Sequence, residues 1–229
     1  MTKSNSNNFF QSHFESIFAY YEEEGPIKLG PINTYAYFND AKHVLFSLAR
    51  YKFCAKMLAG KKKVMEIGCG DSFGLPIVLQ SVGAITGYDL EPNIIEENRK
   101  LFKRFDRVAF EQCDFVKNDS SERFDGGYSL DVIEHIEKDL EHHFMANICR
   151  SLTSNSVFIL GTPNKESEKH ASPKSKESHV NVKSANTLKE LMQEYFANVF
   201  LFSMNDEVVH TGYYPMAHYL IALGVGLRN

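Results

Sequence analysis

Long apolar runs are missing from this chain. No stretch approaches the roughly 20 residues needed to span a bilayer, and the polar start, Met-Thr-Lys-Ser-Asn-Ser-Asn-Asn, has no apolar signal core. The expected compartment is therefore the cytoplasm, with no membrane partner. Cysteine is scarce: Cys54, Cys69, Cys113 and Cys149 stand apart with no C-x-x-C pair, which excludes a zinc knuckle or a disulfide framework. An excess of basic charge is also missing, with 25 Lys and Arg against 29 Asp and Glu and a net charge of −4. That balance argues against a strong non-specific grip on nucleic acid, but leaves room for a small anionic substrate held by a local lysine cluster. Internal repeats are absent too. What remains is an ordinary globular composition, 43% hydrophobic and 24% charged over 229 residues, enough for one domain with a sizeable core.

Two regions carry the expected domain organisation. Residues 1–38 form a polar tail (1–8) followed by an aromatic-rich segment, in which Phe10, Phe14, Ile17, Phe18 and Tyr21 recur at helical spacing until Gly25-Pro26. This segment is either a helix packed on the domain edge or a lid over a pocket. Residues 39–229 read as alternating helices and strands. Asn39-Asp40 caps a helix over 41–58, and strands follow at 63–67, 84–88, 108–113, 124–130 and 157–161. Helices lie between them, one starting at Asn93 and Glu96 as a capping box and running to about Arg104. Others cover 138–152 and 187–196, and two last strands fall near 199–204 and 218–223. This order predicts an α/β, doubly wound, mostly parallel seven-stranded sheet with one antiparallel edge strand.

The chain is organised around Val64 to Gly74. A strand ends in Gly68-Cys69-Gly70, and an apolar stretch with helical spacing follows from Leu75. Glycines there allow a tight turn and close approach of backbone to a ligand, while the next helix aims its first N–H groups into the same crevice. The dinucleotide fingerprint is G-x-G-x-x-G, but here the third glycine arrives one residue late, and Glu66 precedes the first glycine by two. The stretch E-I-G-C-G-D-x-x-G resembles the first motif of class I S-adenosylmethionine-dependent methyltransferases. That likeness extends over about residues 40–165, with Gly161-Thr162-Pro163-Asn164 at its end, and implies a Rossmann-like methyltransferase fold, activity as a methyltransferase and S-adenosylmethionine as cofactor.

A carboxylate closing the second strand accepts both hydroxyls of an adenosine ribose, and Asp89, 21 residues after Gly68, stands at that place. The resemblance puts Leu90 against adenine, and Asp114 with Phe115 at the third strand's end to read it. Cys113 and Leu130, at neighbouring strand ends, complete an expected cofactor set with Glu66, Gly68, Cys69, Gly70 and Asp89. Glu66, Asp89 and Asp114 together make an acidic rim suited to a sulfonium and an ammonium.

The exit of the fourth strand reads Asp131-Val132-Ile133-Glu134-His135. On a helical turn the positions i, i+3 and i+4 share a face, and carboxylates with an imidazole suit Mg²⁺ or Mn²⁺. The motif resembles that of ubiquinone-type O-methyltransferases and of small-RNA 2′-O-methyltransferases. This likeness implies a metal held by Asp131, Glu134, His135 and, from the loop 164–183, His179. Where Glu-His serves without metal, His135 acts as a base or lines the pocket, with Glu134 beside it.

The loop 164–183 sets Lys165, Lys169, Lys174, Lys176 and Lys183 against three glutamates, either as a solvated loop or as a lid over a phosphate- or carboxylate-bearing substrate. Met204 to His210 offers Glu207 and His210 to a pocket, or holds them as a structural pair. The tail is similar to methyltransferases of bacterial surface-polysaccharide pathways, including capsule phosphoramidate methylation. Three functions stand at this point. The first is an O-directed methyltransferase acting on a polar sugar-, phosphate- or nucleotide-linked small molecule, or on a quinone or phenol. The second is an NAD-dependent oxidoreductase, which the late glycine, Glu66 and Asp114 disfavour. The third is a non-catalytic cofactor-binding partner. Oligomeric state is left open.

Overall fold

The computed structural model describes residues 4–170 and 177–228. Two helices precede the sheet, α1 (Ser4–Glu24) and α2 (Pro31–Met57). Helix thus begins at Ser4, inside the stretch expected as tail. The expected helix start at Asn39-Asp40 is a break within α2, where Asp40 takes extended angles (φ −153°, ψ 82°).

Strands and helices then alternate: β1 (Lys63–Ile67), α3 (Leu75–Leu79), β2 (Ala84–Asp89), α4 (Pro92–Leu101), β3 (Val108–Gln112) and β4 (Phe124–Leu130). After β4 come a 3₁₀ turn (Ile133–His135), α5 (Glu141–Arg150), β5 (Leu152–Pro163), α6 (Ala185–Tyr195), β6 (Phe196–Asn205), β7 (Val208–His210) and β8 (Tyr219–Leu227). Pro92 opens α4, a place where its missing N–H costs nothing. The cap is Glu91, not Asn93, and its side chain makes no capping bond. A capping box lies at α6, where Ser184 and Thr187 satisfy each other's backbone N–H groups.

The strand order is β3-β2-β1-β4-β5-β8-β6-β7. The expected doubly wound, mostly parallel sheet is there, with β1 to β5 parallel. β8 runs against both its neighbours, β5 and β6, and sits between them rather than at the margin. The short β7 adds an eighth strand at the edge, in a hairpin with β6. That hairpin carries Glu207 and His210 at the sheet's outer edge, on the far side of β6 from the glycine loop, and His210 Nδ1 accepts the Gly212 N–H. The polar stretch is thus a turn, with Asp206 at φ 51°.

Both faces of the sheet are buried, as a parallel sheet requires. Alternate residues of β1 divide between two cores: Met65 and Ile67 pack with Phe124, Phe144 and Phe158, while Val64 packs with Leu58, Leu75, Val78 and Tyr128. Chain order reverses between β1 and β4, so the crevice outside their carboxyl ends is where such a sheet binds ligands. Among the described residues no helix is long and apolar enough to cross a membrane.

Candidate active site

The glycine loop leaves β1 in a conformation few residues tolerate. Gly68 has φ 67°, and a Cβ there would meet Val132 Cγ2 at 2.2 Å. Two constraints, the left-handed backbone and the contact with the β4 exit, therefore require glycine at one position. The loop is further tied down by side chains. Gly70 N–H donates to Asp89 Oδ2 at 2.9 Å, and Asp89 Oδ1 accepts the Glu91 N–H at 3.0 Å. Asp71 is buried and accepts the Asn33 N–H at 2.6 Å, which pins the first turn of α2 onto the loop. Ile32 is thereby brought to the lip of the crevice.

The crevice is a cleft of about 330 Å³. Its floor and one wall are Gly68, Gly70, Asp89 and Leu90, with Cys113, Asp114 and Phe115 from the end of β3. Asp131, Val132 and His135, from the exit of β4, also line it, Val132 directly against Gly68. Phe115 lies edge-on to Tyr88, 5.3 Å between centroids, and Asp114 accepts the Val116 N–H and pairs with Lys117 at 2.8 Å. The Lys117 ammonium holds the Asp114 carboxyl below its ordinary value.

Three of the expected cofactor residues do not line this cleft. Glu66 points to the opposite face of β1, where its carboxylate accepts hydroxyl donors from Tyr51 (2.7 Å) and Ser72 (3.1 Å). It is a buried support beneath the loop, so the acidic rim reduces to Asp89 and Asp114. Burial pushes its pKa up to about 7. Cys69 is buried against Asn98, and Leu130 packs into the core behind Gly161.

At the β4 exit the chain takes a left-handed step at Asp131 (φ 58°) before the 3₁₀ turn. Residues 131–135 are thus not one regular helical turn, the premise behind the expectation that Asp131, Glu134 and His135 share a face. The metal-ligating group found among the described residues is Glu134, His135 and His179, without Asp131. Asp131 Oδ2 instead accepts from Arg50 Nη1 at 2.5 Å, with the guanidinium 3.7 Å above the Tyr219 ring. Arg50 lies 81 residues earlier, on α2, and no local pattern marks it.

Glu134, His135 and His179 do converge. Their ligand atoms lie within 4.8 Å of one another. The backbone explains why: the Glu134 carbonyl accepts N–H bonds from both Val180 (2.8 Å) and Asn181 (3.0 Å), which fixes the His179 segment beside the turn. The imidazoles of His135 and His179 meet edge to face at 5.0 Å. His135 Nδ1 sits 2.9 Å from the Ser178 carbonyl; since that oxygen only accepts, Nδ1 is the donor of this bond, and in the neutral tautomer Nε2 carries the lone pair. Glu134 is 1% exposed, with Oε2 bonded to the Thr162 hydroxyl (3.1 Å) and Oε1 without a partner. Burial and the nearby Asp131 push its pKa up to about 8, and burial with the neighbouring His135 pushes His179 down. An orphaned buried carboxylate oxygen beside two imidazoles is a donor set that fits a divalent cation.

Beyond His179 the same segment opens a second cavity of about 490 Å³, lined by Lys138, Lys165, Lys183, Glu168 and the first turn of α6. Lys183, expected in a loop that is either solvated or a lid over an anionic substrate, is 2% exposed and pairs with the buried Glu141, as Lys138 does. Lys174 and Lys176 lie outside the described residues.

Residues 58–206 match the family described as a methyltransferase domain. Three solved structures share the fold. The methyltransferase domain of bacterial CtHen1-C is 20% identical, covers 79% of this chain and 99% of its own, and superposes with a TM-score of 0.66. The N-methyltransferase NodS from Bradyrhizobium japonicum, crystallised with S-adenosyl-L-homocysteine, is 15% identical over 79% of this chain and 85% of its own, with a TM-score of 0.60. A TehB-like methyltransferase from Corynebacterium glutamicum is 16% identical over 86% and 100%, with a TM-score of 0.62. No curated protein sequence matches this chain significantly. A strand–glycine loop–helix crevice at the reversal of the sheet, with an acid at the end of β2, agrees with the match over more than half the chain: it belongs to the methyltransferase-domain family and is a class I S-adenosylmethionine-dependent methyltransferase.

Proposed function

We propose that the chain methylates a hydroxyl of a polar small molecule, of the sugar-, phosphate- or nucleotide-linked kind found among precursors of bacterial surface polysaccharides. The observation that carries this reading is that His135, which lines the same cleft as the glycine loop, converges with Glu134 and His179. When bound, S-adenosylmethionine supplies an activated methyl group on a sulfonium, and its in-line displacement asks the protein for alignment and exclusion of water.

The residues divide that work. Gly68 and Gly70 let backbone pass close under the cofactor's amino-acid part. Asp89, already oriented by its bonds to Gly70 and Glu91, takes the ribose hydroxyls. Leu90, Cys113, Asp114 and Phe115 take the adenine. Helix α1 and the start of α2, carrying exposed Phe14, Phe18, Tyr21 and Ile32, form a separate N-terminal lid region that closes over the cleft and keeps water out, while 39–229 forms the catalytic domain.

On this reading His135 Nε2 receives the acceptor's proton, supported by its place in the cleft lining with Glu134 beside it. Alternatively, the donor set of Glu134, His135 and His179 would hold Mg²⁺ or Mn²⁺, with His135 Nε2 then a ligand rather than the base, and the metal would lower the acceptor hydroxyl's pKa. Asp131, engaged by Arg50, stays outside that set. The test is methyl transfer to a panel of hydroxylated sugar phosphates, with and without EDTA. Loss of activity on chelation and its return with Mn²⁺, together with Mn²⁺ binding by calorimetry that His179→Ala abolishes, supports the metal. Full activity in EDTA leaves His135 as the base. Transfer to amines alone removes the hydroxyl reading.

A further inference from the structure

The cavity beyond His179 is unused by anything described so far. Its charged lining is lopsided: Lys138, Lys165 and Lys183 face it against a single carboxylate, Glu168. Behind the wall, Lys138 and Lys183 both bond to one carboxylate, Glu141, whose remaining donor is the Asn181 amide at 2.9 Å. Two ammonium groups share one carboxylate, with Glu194 a further acid acting on Lys138, and one of the two lysines is 2% exposed, where water does little to screen it. The first turn of the eleven-residue α6 lines the same cavity, adding the partial positive charge of its N-terminus. Among the described residues of the lining there is no arginine, the residue suited to gripping a planar carboxylate with two bonds, whereas lysines act as point charges suited to phosphate. The cavity adjoins the cleft through His179, whose ring touches that of His135.

We propose that this cavity is the subsite for a phosphate group of the methyl acceptor, so that the acceptor's phosphate rests on Lys138, Lys165 and the α6 N-terminus while its hydroxyl lies at His135. This rests on reading the His135 end of the cleft as the acceptor side. It ties substrate choice to a segment that is itself fastened to the catalytic turn by the Glu134 carbonyl.

The probe is inorganic phosphate, titrated into the full-length protein saturated with S-adenosyl-L-homocysteine and followed by thermal shift and ³¹P line broadening. Chloride and acetate serve as controls at matched ionic strength. We expect a saturable, phosphate-specific rise in melting temperature. Lys165→Gln, a surface change, should weaken phosphate binding roughly tenfold while leaving the melting temperature without phosphate and the affinity for S-adenosyl-L-homocysteine unchanged. Lys138→Gln is the second variant, expected to act in the same direction. A phosphate response no larger than that of chloride, one matched by acetate, or one that survives in the Lys138→Gln/Lys165→Gln double variant would overturn the subsite. Failure of S-adenosyl-L-homocysteine to bind, with phosphate binding intact, would instead strike the function proposed above and leave the subsite standing.

Discussion

The two ends of the cleft are built by different physics. At the glycine-loop end, shape is set by backbone conformation: Gly68 at φ 67°, Gly70 at φ 47°, and a carboxylate, Asp89, receiving the Gly70 N–H. At the histidine end, shape is set by side chains and carbonyls drawn from distant parts of the chain: Arg50 on Asp131, Val180 and Asn181 on the Glu134 carbonyl, Thr162 on its carboxylate. A backbone-built site is rigid and indifferent to what it faces. A site built from long-range polar contacts can change its acceptor by changing a few residues, because each contact is separable. That fits one family serving many acceptors with one donor.

Breaking the first end should cost most. Gly68→Ala imposes both left-handed strain and the Val132 contact, and is expected to lower stability by about 4 kcal/mol, measured by denaturant unfolding. Adding Val132→Ala should recover the steric part and leave the strain, about 1–2 kcal/mol. Full recovery would show that backbone conformation is not what glycine supplies there.

Next is Glu66, the support beneath the loop. Its folded pKa of about 7 lies above the ordinary 4.5, so its protonated form is the one the fold prefers. The stability it contributes is fully present below pH 4.5 and is lost as pH rises through 7, by up to about 3 kcal/mol. Glu66→Gln should flatten the pH dependence of unfolding across that window; an unchanged profile would place the titration elsewhere.

At the histidine end, Arg50→Met keeps the stem over Tyr219 but removes the partner of Asp131. Asp131 is partly exposed (41%) and so partly screened, and the expected loss is about 2 kcal/mol with cofactor affinity unchanged. A large loss of cofactor affinity would erase the distinction between the two ends.

How much of this was legible follows from the same distinction. The loop, Asp89, Asp114 and β4 with its Glu-His exit were readable because each is a local pattern of strand, turn and terminal residue. The partners of Asp131 and the burial of Lys183 were not, since Arg50 and Glu141 reach them from 81 and 42 residues away. The surroundings of Glu66 were hidden for a subtler reason: alternation along β1 assigns it to a face, but not what that face meets, and it meets Tyr51 of α2. Likewise sequence order shows β6 before β8, but not that β8 inserts between β5 and β6.

The central claim is that the glycine-loop end holds S-adenosylmethionine through Asp89. Calorimetric titration of S-adenosyl-L-homocysteine and of NAD into the wild type and Asp89→Ala tests it directly. The account predicts saturable binding of S-adenosyl-L-homocysteine, no binding of NAD, and a loss of roughly a hundredfold in Asp89→Ala, as expected for removing two charge-assisted hydrogen bonds. NAD binding in its place, or unchanged affinity in Asp89→Ala, would contradict it.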